Sequence, residues 1–338
     1  MKGTFRLARN HLARLTILLF ALSIPSFTLP GQVEIESPRP APGLGIRIHA
    51  LPMDLAHRDS LENAVKGRNF ELAEKILMTD IEGNPKSQPV LTLLGDIFFL
   101  DGKYLDSAIA MKKAQALGPL DNRSRFTLAM AYVILEKGAW ARPELEALAK
   151  SDPRNALYPY WLSRLDYSDM SLNSAVENVK KAIELDPTFM KAYDNLGLYY
   201  DALGKSEEAI HAYQDAIRLN HQRHLHSPWP SMNLGAVLIK SGRLDEAEPY
   251  LKESLTESPR FPKAHFQLGI LLEKKKRYKE AVEELKQAAE FDETYPEPYF
   301  VLGRLYHRLG DEKSAQEAFR MFQERNQKEK EKNVRRLH

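Results

Sequence analysis

Residues 190–223 read MKAYDNLGLYYDALGKSEEAIHAYQDAIRLNHQR. Two helices are written in that stretch. Tyr193, Leu196, Gly197 and Tyr200 fall at i, i+3, i+4 and i+7, one face of a helix. Gly204 breaks the pattern, as a glycine just past a helix end does. Ala209, Tyr213, Ala216 and Ile217 then form a second face at i, i+4, i+7 and i+8. Gly197 and Ala209 are small where two helices must cross closely; a larger side chain would push them apart.

Working outward from this stretch, the same residue types return every 34 positions. Leu94, Leu128, Leu162 and Leu196 form one column, continued by Leu234, Leu268 and Leu302 after a single step of 38. A small residue follows each: Gly95, Ala129, Ser163, Gly197, Gly235, Gly269 and Gly303. A second small column runs through Ala73, Ser107, Ala141, Ala175, Ala209, Ala247, Ala281 and Ala315. Pro85, Pro119, Pro153, Pro187 and Pro259 close most units, because proline lacks the N–H that a continuing helix needs. A fixed period of this size signals stacked units, each packing only on its neighbours. That overrides the two-domain prior set by 338 residues.

These residues resemble the tetratricopeptide repeat family. Tyr193, Leu196, Gly197, Tyr200, Gly204, Ala209, Tyr213 and Ala216 match its pattern in order; Tyr299, Leu302, Gly303, Tyr306, Gly310, Ala315 and Phe319 match it again. The resemblance covers about 276 of the 338 residues. It implies an all-α, right-handed α-solenoid of about eight helix-turn-helix units, starting near Asp54, Gln88, Asn122, Ala156, Met190, Pro228, Pro262 and Pro296. Unit 1 lacks the Leu-Gly pair. Lys276 replaces a turn glycine, His221 and Glu293 replace closing prolines, and Pro143 and Pro249 sit early in second helices, where we expect a missing N–H to cost little. The four extra residues, around His221 to Pro230, are expected to kink the solenoid between units 5 and 6.

The chain divides into residues 1–30, a signal peptide or N-terminal anchor; 31–53, a Pro/Gly-rich linker; 54–227, units 1–5; 228–325, units 6–8; and 326–338, a charged extension of the last helix. Lys2, Arg6, Arg9 and Arg14 precede the apolar run Leu15–Ile24, which Pro25 ends. This is the layout of a secretory leader and too short for a membrane-spanning helix, so we expect export to a periplasmic or secreted location. The absence of cysteine excludes disulfides and a lipid-anchored cysteine. The net charge of +2 comes from the leader; the remainder is close to −2, and no basic stripe suggests nucleic acid.

Catalytic motifs are missing: the sequence has no HExxH, GxGxxG or GxSxG. Gly204-Lys205-Ser206 resembles the end of a phosphate loop, but Tyr199 stands where a glycine is required, so an inter-helix turn is the better reading. His221, His224 and His226 could bind a transition metal, yet the segment holds no carboxylate to complete a set, and a polar inter-repeat loop is the simpler reading. No metal or cofactor is expected.

In the family that the sequence resembles, first helices line a concave groove that binds partners. Carried over by position, that groove would take Tyr160, Trp161, Arg164 and Tyr167 from unit 4, and Lys191, Asp194, Asn195 and Leu198 from unit 5. Unit 6 would add Trp229, Met232, Asn233 and Ile239; unit 7, Lys263, Phe266, Gln267 and Lys274; unit 8, Phe300, Arg304 and His307. Aromatic, Met and Arg side chains are the types that binding hot spots favour. Asn195, Asn233 and Gln267 resemble a short ladder able to grip peptide backbone, since an amide donates and accepts at once. The chaperone-tail clamp of some relatives needs a Lys/Asn pair that no unit supplies. Glu284, by contrast, falls on the convex face, where a substitution should be silent. The expectation is a non-enzymatic scaffold binding a protein or peptide segment. The rival is an accessory of envelope polysaccharide export touching glycan through Trp161, Trp229 and Tyr160; a metal enzyme built on the three histidines is a distant third.

Overall fold

The computed structural model describes residues 48–337, apart from 50 and 52. The leader and most of the linker lie outside the described residues. Sixteen helices follow one another in antiparallel pairs, with no strand among the described residues. Unit 1 is α1 (Leu55–Lys66) and α2 (Phe70–Gly83); unit 2 is α3 (Gln88–Leu100) and α4 (Tyr104–Leu117); unit 3 is α5 (Asn122–Ile134) and α6 (Gly138–Ser151). Unit 4 is α7 (Leu157–Ser168) and α8 (Leu172–Leu185), and unit 5 is α9 (Met190–Ala202) and α10 (Ser206–Gln222). Unit 6 is α11 (Trp229–Lys240) and α12 (Leu244–Glu257); unit 7 is α13 (Pro262–Lys274) and α14 (Tyr278–Phe291). Unit 8 is α15 (Glu297–Arg308) and α16 (Glu312–Leu337), a single helix through the charged tail. The chain is an all-α solenoid.

Each pair closes on its small residues. The column Ala73 to Ala315, including Ser107, is buried throughout. A Cβ at Gly197 would stand 2.6 Å from the ring of Tyr213; at Gly235 and Gly269 it would stand 2.6 Å from Leu251 and Leu285, and at Gly303 2.7 Å from Phe319. The large side chain always comes 16 residues after the glycine. Where that column has Ala129 or Ser163, the residue 16 later is Leu145 or Val179, neither of them aromatic.

Helix ends follow local chemistry. The closing prolines stand two residues past the ends of α2, α4, α6, α8 and α12. In the turns inside each unit, Gly102, Gly204, Gly242 and Gly310 adopt left-handed backbone, with φ of 73–80°. Arg68, Glu136, Met170 and Lys276 take the same conformation at the same place in the other four units. Gly204-Lys205-Ser206 is such a turn, between α9 and α10. Pro143 and Pro249 correct one expectation. Each is the sixth residue of its helix, beyond the first turn, and each removes an internal bond, to the carbonyl of Ala139 or Asp245. Both prolines and both carbonyl-bearing residues are exposed, so water can take the place of the lost N–H.

The hydrophobic core is a ribbon of overlapping clusters rather than a single centre. Ile48 and Leu51, the end of the Pro/Gly-rich stretch, are buried against unit 1, and Arg58 donates to the carbonyls of Leu51 and Met53. Every substantial pairing joins helices one or two places apart in the chain. First helices also meet each other: α3 touches α5, α9 touches α11, and α11 touches α13. They therefore form the inner face, with the second helices outside.

The four extra residues extend α10 to 17 residues, against 14 in the other second helices before α16. The connection is held by reciprocal 3.0 Å bonds, Asn220 Nδ2 to the Ser227 carbonyl and Ser227 N–H to Asn220 Oδ1. The contact between α9 and α11 is kept across this step, and Asp201 pairs with Lys240 at 2.7 Å. The inner face thus runs on past the insertion, which is taken up on the outer side.

Candidate functional site: the inner face of the first helices

The residues expected to line the groove fall into three kinds of place. Tyr160, Met232 and Ile239 are buried in the core and back the surface. Trp161, Arg164, Tyr167, Asn195, Leu198, Trp229, Asn233, Lys263, Phe266 and Gln267 are half-buried. Phe300, Arg304, Lys274 and His307 are exposed. The half-buried aromatic rings are fixed by neighbours rather than left free. Tyr167 stacks on Tyr199 of the next unit, with ring centroids 5.0 Å apart.

A second aromatic column holds the near edge of the face. Phe189, Phe261 and Tyr295 each end a unit, just before the next first helix. Their rings lie 4.7 Å from Tyr160, 4.8 Å from Trp229 and 5.3 Å from Phe266. The sequence reading passed over them, although Phe261 and Tyr295 stand 34 residues apart, and Phe189 two units (one of them lengthened) before Phe261.

Cations cover two of the tryptophans. The Arg164 guanidinium lies 4.9 Å from the centre of Trp161, and Lys263 Nζ lies 5.2 Å from Trp229. Burial lowers the Lys263 pKa, against the pull of Glu297 and Asp292. A cation held over an aromatic face is attracted by the ring quadrupole. Further along, Arg304 pairs with Glu273 of the preceding unit at 2.5 Å, and His307 pairs with Glu312.

Polar readout sits between the two tryptophans. Asn233 Nδ2 donates to Asp194 Oδ1 at 3.0 Å, joining units 5 and 6. Burial pushes the Asp194 carboxyl up to about 6, and Asn233 is the one group that draws it down. This pair leaves Asn233 its carbonyl and one N–H, and Asn195 lies beside Asp194 in the chain. A carboxylate and two amides on one wall can accept and donate to a peptide backbone.

The histidine segment separates into pairs. His221 Nε2 meets Glu253 Oε1 at 2.5 Å, and His226 Nδ1 meets Glu257 Oε2 at 2.9 Å. The carboxylates missing from the segment thus come from α12, one turn apart, but each serves a different histidine. Among the described residues, no three His, Cys, Asp or Glu side chains are grouped so as to hold a metal. Glu284 is also misplaced as a silent position: its carboxylate binds the buried His265 at 2.7 Å.

The paired helices, small crossing residues and ribbon core define a helical repeat solenoid. Tetratricopeptide repeat models match residues 179–211, 238–294 and 296–328, and the chain belongs to that family. Among curated proteins, anaphase-promoting complex subunit 3 of Schizosaccharomyces pombe is 33% identical over 87 residues, 26% of this chain; the match spans only 12% of that protein's length. Among solved structures, the type IV pilus biogenesis factor PilW aligns with a TM-score of 0.54 and 22% identity, over 58% of this chain and 90% of its own. The anaphase-promoting complex assembly Cut9–Hcn1 aligns with a TM-score of 0.50 and 21% identity, over 74% and 48%. At these identities the structures share the fold.

Proposed function

We propose that this protein is a non-enzymatic scaffold that holds an extended segment of a partner protein along its inner face. The observation that carries the reading is the row of fixed aromatic, cationic and amide groups on successive first helices, from Trp161 to Phe300. The crossing columns are filled by other residues, and Trp161, Tyr167, Trp229 and Phe266 pack on the edge of the core with part of each ring left to the face. Extended peptides gain affinity from backbone hydrogen bonds and a few large anchors. A glycan is less well suited, because stacking would need the tryptophan faces that Arg164 and Lys263 cover.

The basic start and apolar run of residues 1–30 support export to the periplasm or beyond. Fractionation of a tagged chain tests this: a soluble cytoplasmic full-length product would refute it. The groove is tested by co-purifying partners from the envelope fraction, then titrating the captured partner against variants. Trp161→Ala or Trp229→Ala should weaken binding by about 1–3 kcal/mol while circular dichroism stays unchanged. Asn195→Ala with Asn233→Ala should weaken it through unpaired peptide groups. Glu290→Ala, on the exposed side of α14, serves as the comparison. Equal binding by all of these would sink the groove assignment.

A further inference from the structure

The outer face is not uniform along the array. At the start of the second helices, units 1–3 expose Leu72, Leu105, Ile109 and Trp140, with Leu105 61% and Trp140 48% accessible. In units 5–7 the corresponding places hold Glu207 and Glu208, Asp245 and Glu246, and Lys279 and Glu280. Two of those charged residues tie units together, Glu207 to Arg243 and Asp245 to Lys275, while Glu246 and Glu280 pair within their own units with Arg243 and Arg277. In units 1–3 exposed apolar side chains stand at or beside these places, next to the charges Glu71 and Asp106, while Glu74 of unit 1 still pairs with Lys103 of unit 2 at 2.7 Å. Further along the same helices Met78 and Leu117 are also exposed, with Lys75, Lys112 and Lys113 among them. The Trp140 ring rests edge-on against Tyr132, 5.6 Å away, and presents its remaining surface outward.

We propose that the outer face of units 1–3 rests on a lipid surface. An apolar patch on a soluble array calls for a cover. The chain itself indicates which. Its basic residues Lys2, Arg6, Arg9 and Arg14 and apolar run Leu15–Ile24 lie N-terminal to this end of the array. A basic segment followed by an apolar one partitions to anionic membrane interfaces. Some 23 residues separate the run from Ile48, which packs on unit 1, enough to reach on the order of 75 Å when extended. A retained N-terminal segment would therefore hold α2, α4 and α6 at high local concentration beside the same surface. Tryptophan suits the headgroup level, and lysines can bury their stems while the ammonium stays wet. The inner face would then open away from the membrane. The proposal rests on retention of residues 1–30 and is independent of what the groove binds.

The test uses the full chain with phosphatidylcholine–phosphatidylglycerol vesicles, plain or carrying brominated acyl chains. Three variants each keep one of the three tryptophans, the others being replaced by Phe. Trp140 should be quenched by bromolipid several-fold more than Trp161 or Trp229. Leu105→Glu with Ile109→Glu, both at exposed positions, should abolish that difference while circular dichroism is unchanged and the chain still sediments with vesicles. The proposal falls if the chain does not bind vesicles, or if vesicle-bound Trp140 is quenched no more than the others. It falls equally if the double variant changes nothing, or if Trp140 is shielded by a soluble protein instead.

Discussion

At the scale of single residues, the fold is decided by what can stand at a helix crossing. Gly197 lies against the ring of the buried Tyr213, which has nowhere to move. Gly197→Leu should cost a few kcal/mol (about 2–4) through overpacking, read as a fall in the urea midpoint. An unchanged midpoint would show that the crossing lies elsewhere. The turn position allows the opposite experiment. Met170 is exposed and held at φ 57°, a conformation that costs a side-chain-bearing residue about 1–2 kcal/mol. Met170→Gly gives back part of that to unfolded-chain entropy and should stabilise by about 0.5–1 kcal/mol. The turn column shows a limit of reading by type. Lys276 stood out as a departure, but Arg68, Glu136 and Met170 occupy the same 34-residue place and take the same backbone. There the repeat imposes the conformation and the residue accepts it.

At the scale of helices, the sequence carried nearly everything that depends on period. First helices start at, or one residue past, the positions inferred from the Leu-Gly column. What it did not carry depends on neighbours along the solenoid. His221 replaces a closing proline and α10 runs on; Glu293 replaces another and α14 stops at Phe291, two residues before it. The extra residues therefore lengthen α10, and loss of proline alone does not. The inner face was legible by position only. Lys263 above Trp229 and the stacking of Tyr167 on Tyr199 arise between units, where a single-unit pattern is silent; Arg164 above Trp161 and the Phe189–Phe261–Tyr295 column lie within units, at places the family pattern leaves open. Pro249 offers a test at this scale. An interior proline costs a helix about 3 kcal/mol relative to alanine, partly offset because it stiffens the unfolded chain. Pro249→Ala should raise stability by about 1–2 kcal/mol, measured by urea unfolding; a loss would mean that the ring packs usefully.

At the scale of the whole molecule, units are joined by contacts between neighbours and by charges that cross the joints. Glu248 of unit 6 binds Lys275 and Arg277 of unit 7, and Lys275, then Lys252 of its own helix, hold its carboxyl down to about 2. A carboxyl lowered on folding contributes stability above its unfolded pKa, near 4.5, and that stability is lost as the pH falls towards 2. Solvent screening limits the effect to about 1 kcal/mol. Between pH 5 and 2 the wild type should therefore lose more stability than Glu248→Gln; parallel pH profiles would remove this pair from the account.

The near-neighbour joints also give the array a mechanical character. The Asp194–Asn233, Asp201–Lys240 and Glu273–Arg304 links lie on the inner rim, so uncoiling the superhelix would stretch them before any unit opens. Tension along the axis would meet a compliant spring first and a chain of separable couplings after it. A partner lying across several units would bridge those links from inside, and the array would stiffen as its cargo seated.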